Sequence, residues 1–274
     1  MLKKNLTFLL FLFSTFCFGQ NDSLLLSRTS AFTDSIDFIQ IRTDTLFGSK
    51  QIISLIVLQK KNFNRFHPEL AYSRSELKTT SFFGITKNAL VAINGSFFDR
   101  DNGGSVTYVE NHDNVISRTR PSNRKWAKPD SLINGAIVFR NDTVEIEPAN
   151  SDQDYEESKQ ESAVLVAGPL LLLEFQLLKL PNLDLVTDRN PRTCLCTNMN
   201  ALALITIDGR SAEAEGMTLY ETQLFLQKIG CIDAINLDGG GSTTLWIKNK
   251  GIVNFPSDAS GERPVSNVIL IMRK

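Results

Sequence analysis

The chain has 274 residues, of which 42% are hydrophobic and 22% charged, and its formal net charge is −1. That length can bury a sizeable core in one large or two small domains, and a charge so near zero gives no bulk attraction for nucleic acid. With only His67 and His112, set far apart in polar surroundings, a His-rich metal centre and a Ser-His-Asp triad are both poorly supported.

The chain opens with Lys3 and Lys4, an apolar run from Leu6 to Phe18, and the small residues Cys17 and Gly19. This pattern is that of a secretory signal peptide cut near Gly19/Gln20, and it predicts a secreted or periplasmic protein. A spanning helix needs about 18 apolar residues, so no stable membrane anchor is expected. Beyond the cut remain Cys194, Cys196 and Cys231. One bridge at most can form among them: Cys194 or Cys196 can pair with Cys231, and buried free thiols fit the sequence equally well.

Asn21 to Thr33 has no sustained periodicity and reads as a lead-in. From there the chain is dominated by short runs rich in Val, Ile and Phe, which predict strands: Ile36–Ile41, Ile52–Leu58, Ala89–Ile93, Ala136–Phe139, Val144–Ile146, Ala163–Ala167, Ala201–Ile207, Ala234–Leu237, Thr244–Ile247 and Val268–Met272. Arg140 to Thr143 reads as a hairpin turn. Helices are expected over Ser75–Gly84 and over Thr218–Ile229, where Thr218 and Glu221 fit a capping box and Gly230 supplies the stop. Asn150 to Glu161 is polar and acidic and reads as a loop. The expected fold is a single α+β domain of mixed or antiparallel sheets covered by a few helices.

Ala234 to Trp246 is the most informative stretch. An apolar strand carries Asn236 and ends at Asp238, followed by Gly239, Gly240, Gly241, Ser242 and Thr243. Each glycine costs roughly 0.5–1 kcal/mol of folding free energy relative to Ala. Close approach of backbone to a ligand, with amides of the turn forming a concave anion site, would offset that cost, and a tight bulged turn is the plainer alternative. No G-x-x-x-x-G-K-[ST] pattern is present. Arg192, just before Cys194-Leu195-Cys196, and Arg210, in Asp208-Gly209-Arg210, are fork-shaped cations suited to phosphate, although a surface ion pair is the ordinary role of a single Arg. Asn94-Gly95-Ser96-Phe97-Phe98-Asp99 is another strand running into a glycine turn, whose rings fit either the core or a sugar-stacking face. Gly168-Pro169 and Gly261-Glu262-Arg263 are further turns.

In their order along the chain, Asn94-Gly95-Ser96-Phe97-Phe98, Gly168-Pro169, Pro191-Arg192-Thr193, Asp208-Gly209-Arg210, Gly216-Met217-Thr218-Leu219, Asn236-Leu237-Asp238-Gly239-Gly240-Gly241-Ser242 and Gly261-Glu262-Arg263 resemble the phosphodiester glycosidase family. The resemblance covers about Ala89 to Met272, and residues 20–88 carry no recognisable motif. It implies a hydrolase that cleaves the sugar C1–O bond of a sugar-1-phosphodiester, giving free sugar and phosphomonoester, and the N-terminal pattern adds that it is exported. A phosphate ester leaves as a weak base, so cationic stabilisation matters more than full proton transfer. The site residues are then Asp238 and Asp208 as base or nucleophile, and Arg192, Arg210 and Arg263 with the Gly239–Gly241 backbone around the phosphate. Asn94, Gly168, Asn236, Ser242 and Thr243 complete the binding set. No cofactor is expected, although a divalent cation is not ruled out by the sequence; the partner is a carbohydrate phosphodiester and not nucleic acid. Two rival functions are a non-catalytic glycan-binding protein and a metal phosphodiesterase that uses Asp99, Asp101, Asp208 and Asp238 to break the P–O bond.

Overall fold

The computed structural model describes residues 26–33, 36–140 and 143–274. The expected signal peptide and the centre of the 140–143 turn lie outside the described residues.

Three sheets, all with antiparallel neighbours, organise the chain. The largest has eight strands in the order Leu26–Thr33, Ile36–Thr43, Gln51–Gln59, Ala201–Ile207, Arg192–Thr197, Asp233–Asn236, Leu170–Leu173 and Gln176–Leu177. A five-stranded sheet runs Asn114–Ser117, Val109–Asn111, Ala163–Ala167, Gly135–Arg140 and Thr143–Pro148. The other five-stranded sheet runs Gly251–Ile252, Leu245–Ile247, Val91–Asn94, Asn267–Arg273 and Phe66–Tyr72.

The period of two along a strand explains why the central strands read as unbroken apolar runs. Leu202 and Leu204 face one core, shared with Ile137, Leu165, Ile93 and Ile269 of the smaller sheets. Their neighbours Ala203 and Ile205 face a second, beneath helix Leu219–Lys228, with Leu55, Cys194 and Phe225. Both faces of the sheet are therefore buried and both must be apolar. Cys196 on the sheet bonds Cys231 just past that helix, while Cys194 is a buried free thiol.

All ten expected strands are present, and the Thr218 and Glu221 capping box closes as expected. Several elements differ from the sequence reading. Leu26–Thr33 is a strand rather than a lead-in. The first helix spans Thr80–Thr86 and not Ser75–Gly84: Lys78 bridges to Val265 in an extended conformation, and the Thr79 side chain caps the helix by accepting from the Phe82 amide. The polar 150–161 stretch contains a helix, Asp152–Ser158, started by a Ser151–Asp154 capping box and anchored by buried Tyr155, whose ring stacks 5.5 Å from that of Tyr108. A single large aromatic does the work that a periodic stripe would do in a longer helix. Phe66–Tyr72 is an additional strand, its apolar pattern interrupted by Pro68. Among the described residues no helix is long and apolar enough to cross a membrane.

Candidate active site

The motifs meet where the large sheet hands the chain to the sheet containing Val91–Asn94. Strand Asp233–Asn236 belongs to the first and Leu245–Ile247 to the second, and the glycine turn is the crossing between them. Asp238 sits at its start. The Asp238 amide donates to Gly95 O at 3.0 Å, and Asn94 Nδ2 donates to Asp238 O at 2.6 Å. Asn94 is fully buried, and its Oδ1 also accepts from Thr193 Oγ1 at 2.8 Å and from the Thr244 amide at 3.0 Å. One side chain thus locks three segments around the carboxylate. Asn236 does similar work beneath it, donating to Gly168 O at 2.9 Å and Leu237 O at 2.7 Å.

The Asp238 side chain is half-buried. Enclosure by protein pushes its carboxyl above the ordinary value, while the Ser242 hydroxyl, Lys128, Arg263 and the Gly239 amide pull the other way. Arg263 Nη1 lies 3.4 Å from Ser242 Oγ, and its Nε and Nη2 pair with Asp258 Oδ2 and Oδ1 at 2.7 and 2.8 Å. That fork holds the Asp258 carboxyl below its ordinary value.

The glycines are explained by what crowds them. A Cβ at Gly241 would stand 2.1 Å from both Arg263 Nη2 and Asp258 Oδ1, and one at Gly239 would stand 2.6 Å from Pro191 O. Beside Gly240 lies the Arg210 guanidinium, which Asn190 Oδ1 holds through Nε at 3.0 Å and Nη2 at 2.6 Å. Arg210 has φ of +62°, a region that non-glycine residues seldom occupy and that clusters at functional sites. Three of the turn's amides are engaged within the protein. Gly240 N donates to Pro191 O at 2.9 Å, and Ser242 N and Thr243 N donate to Gly239 O and Gly240 O at 3.2 Å each. The glycines thus admit side chains at close range, and the Gly239 amide meets Asp238.

Two expected residues stand behind this front. Arg192 is buried and donates to Met217 O at 2.8 Å and Asp188 O at 2.6 Å, and burial pushes its guanidinium down to about 10. Asp208 is 2% exposed, and its Oδ1 accepts from Asn254 Nδ2 and the Phe255 amide at 3.1 Å each, while Oδ2 has no partner. Asn254 passes the contact on, donating to Thr243 O at 3.0 Å and accepting from the Leu245 amide at 2.7 Å. Asp208 therefore braces the far end of the glycine turn.

Desolvation pushes the Asp208 carboxyl up to about 6, against the pull of Phe255, Asn254 and Arg42. An acid whose folded value lies above its unfolded one contributes its stability below the unfolded value and loses it as pH rises through the folded one. Replacing Asp208 by Asn is expected to abolish the fall in stability between about pH 4 and 6 and to raise stability at pH 7 by up to about 3 kcal/mol. Urea denaturation across that range tests this; an unchanged pH slope counts against it.

Phe97 and Phe98 are core residues and offer no stacking face. Of the carboxylates considered for a metal, Asp99 pairs with Arg120 at 2.6 Å and Asp101 with Lys125 at 2.5 Å, apart from the Asp208 brace. Among the described residues no three His, Cys, Asp or Glu gather as a metal site. Sequence reasoning missed Asp258, Lys128 and Asn254. Asp258 had a local signal in its spacing of five from Arg263, whereas Lys128 and Asn254 stand in no motif.

A half-buried carboxylate at the start of the turn thus shares the turn with two oriented guanidinium groups, Arg263 and Arg210. The fold is shared with the zebrafish N-acetylglucosamine-1-phosphodiester alpha-N-acetylglucosaminidase catalytic domain auto-inhibited by its pro-peptide, with a TM-score of 0.67 at 19% identity over 93% of this chain and 86% of that one. A hypothetical protein from Synechocystis gives the same TM-score at 16% identity, over 93% of this chain and 64% of that one. Residues 87–272 match the phosphodiester glycosidase family, and the chain belongs to it. Among relatives, the SPbeta prophage-derived protein YomE of Bacillus subtilis is 35% identical over 104 residues, 32% of this chain and 16% of its own length. The Bos taurus N-acetylglucosamine-1-phosphodiester alpha-N-acetylglucosaminidase is 44% identical over 57 residues, 21% of this chain and 10% of its own. The alignments thus span 10% to 16% of these relatives.

Proposed function

We propose that this protein is an exported glycosidase that hydrolyses the C1–O bond of a sugar-1-phosphodiester, releasing free sugar and a phosphomonoester. The observation that carries this reading is Asp238 at the mouth of the glycine turn with the Arg263 and Arg210 guanidinium groups directly over the turn's glycines. In the reaction, Asp238 acts on the anomeric carbon, directly or through water, while Arg210 and Arg263 receive the charge that grows on the bridging oxygen. Asp208, buried, holds the turn through Asn254, and buried Arg192 ties down the backbone at Asp188 and Met217. The bidentate Asp258 partner keeps the Arg263 fork oriented before substrate arrives.

Export is supported by the N-terminal pattern of Lys3, Lys4 and the Leu6–Phe18 run, and by the Cys196–Cys231 bridge, which suits an oxidising compartment such as the periplasm. The test of function is a hydrolysis screen against sugar-1-phosphodiesters, with the corresponding simple glycosides as controls, in 18O-labelled water. Label in the released sugar is the expected result; label in the phosphate means P–O cleavage and overturns the reading. The configuration of the first-formed sugar separates the two routes: inversion makes Asp238 the base for water, and retention makes it the nucleophile.

A further inference from the structure

Asp238 N bonds Gly95 O, and four residues further on Asp99 lines a cavity of about 600 Å³ together with Asn102, Arg118, Arg120, Arg124 and Lys125. Four extended residues span at most about 14 Å. The Asp99 wall of the cavity therefore lies within about 14 Å of Gly95, to which the Asp238 amide bonds. Cations mark the ground between. The Lys128 ammonium lies 5.0 Å from the centre of the Phe97 ring and acts on Asp238. The Arg100 guanidinium lies 6.0 Å from the centre of the Trp126 ring and acts on Asp258.

Inside the cavity four cations face one carboxylate. Arg120 Nη1 holds Asp99 at 2.6 Å and Lys125 O at 2.9 Å. Arg118 pairs with Glu156 at 2.8 Å through Nε and 2.9 Å through Nη2, and Lys125 pairs with Asp101 at 2.5 Å. The exposed Arg124 side chain has no hydrogen bond or ion pair among the described residues. Asp99, Asp101 and Glu156 each hold one cation, Asp152 accepts from the Thr119 amide and hydroxyl at 2.7 Å each, and of these cations the Arg124 fork alone stands unpaired at the wall. An unpaired cation at a concave wall attracts an anion. The fork of Arg124 suits phosphate in particular.

We propose that this cavity is a second anion subsite, so that the substrate is a sugar phosphodiester bearing a further phosphate group beyond the scissile one, as in a chain of repeating phosphodiester units. The subsite assignment stands on the cavity itself; the substrate assignment rests on the glycosidase reading above. A repeating polymer would run from Arg263 past Arg100 and Lys128 to the cavity, whereas an isolated oligophosphate needs only the cavity.

Two measurements on the full chain test this. Titration calorimetry with tripolyphosphate is expected to show binding that weakens at least tenfold in Arg124→Glu, which breaks no contact of the folded protein, and that is unchanged in Lys61→Glu, an equal charge change at an exposed turn lined by neither site. Turnover of a substrate with one phosphodiester is then compared with that of its tandem homologue. The wild-type protein is expected to have at least a tenfold lower KM for the tandem, and Arg124→Glu to lose that preference while keeping kcat on the short substrate. Equal tripolyphosphate affinity in all three proteins, or no binding, overturns the subsite. Charge-dependent binding without turnover of either substrate upholds the subsite and rejects the glycosidase reading. Turnover with no tandem preference alongside charge-dependent binding upholds an oligophosphate subsite and rejects the repeating substrate.

Discussion

Asp238→Asn is expected to lower kcat on a sugar-1-phosphodiester at least a hundredfold without lowering stability. The size follows from removing a positioned base or nucleophile, a change worth about 10²- to 10⁴-fold. The stability follows from the environment: enclosure already disfavours the charged form, and an amide of the same shape removes that cost. Because the raised carboxyl must be ionised to act, kcat/KM is expected to fall on the acid side through a pH above the ordinary carboxylate value, and the acid limb to vanish in the variant's residual activity. Near-normal turnover in a folded Asp238→Asn protein removes this residue from the chemistry. The stability comparison sharpens the result, since a group kept at a cost to the fold is the mark of a functional site.

The second large effect concerns a residue that touches no substrate in this scheme. Asn94→Ala is expected to cost about 3–5 kcal/mol of stability, because Asp238 O, the Thr193 hydroxyl and the Thr244 amide all lose a partner in a buried setting where each orphaned polar group costs about 1–3 kcal/mol. Thr193 retains its 3.3 Å contact with Thr243 Oγ1, which places the total below the simple sum. Turnover is expected to fall more steeply than the folded fraction, since Asn94 fixes the backbone of Asp238 itself. Urea denaturation and turnover measured on the folded fraction separate the two effects. A loss under 1 kcal/mol with full activity would return Asn94 to ordinary core polarity.

Asn94 and Arg192 illustrate how residue type was legible when role was not. A strand ending in Asn-Gly and an Arg before a threonine suggested ligand contact; the fold instead turns both inward, onto Asp238 O and onto Met217 O and Asp188 O. The reason is that a polar side chain near an irregular crossing has two uses, to meet a ligand or to satisfy buried backbone groups, and spacing cannot separate them. The 152–158 helix was hidden for a related reason. Its stability comes from Tyr155 stacking on Tyr108, a contact between residues far apart in sequence.

What the sequence determined by itself were the local patterns: ten strands from apolar runs, the helix begun by Thr218 and Glu221, and the glycine turn after Asp238, because backbone period, capping and the absence of Cβ act over a few residues. The tertiary structure alone decided which of the cysteines bonds Cys231, that Asp258 orients Arg263 over Gly241, that Asp208 braces the turn through Asn254, and that Arg124 stands unpaired at a cavity wall. Each of those depends on distances and burial set by how three sheets pack, and desolvation, which sets the charge behaviour of Asp238 and Asp208, exists only once that packing has excluded water.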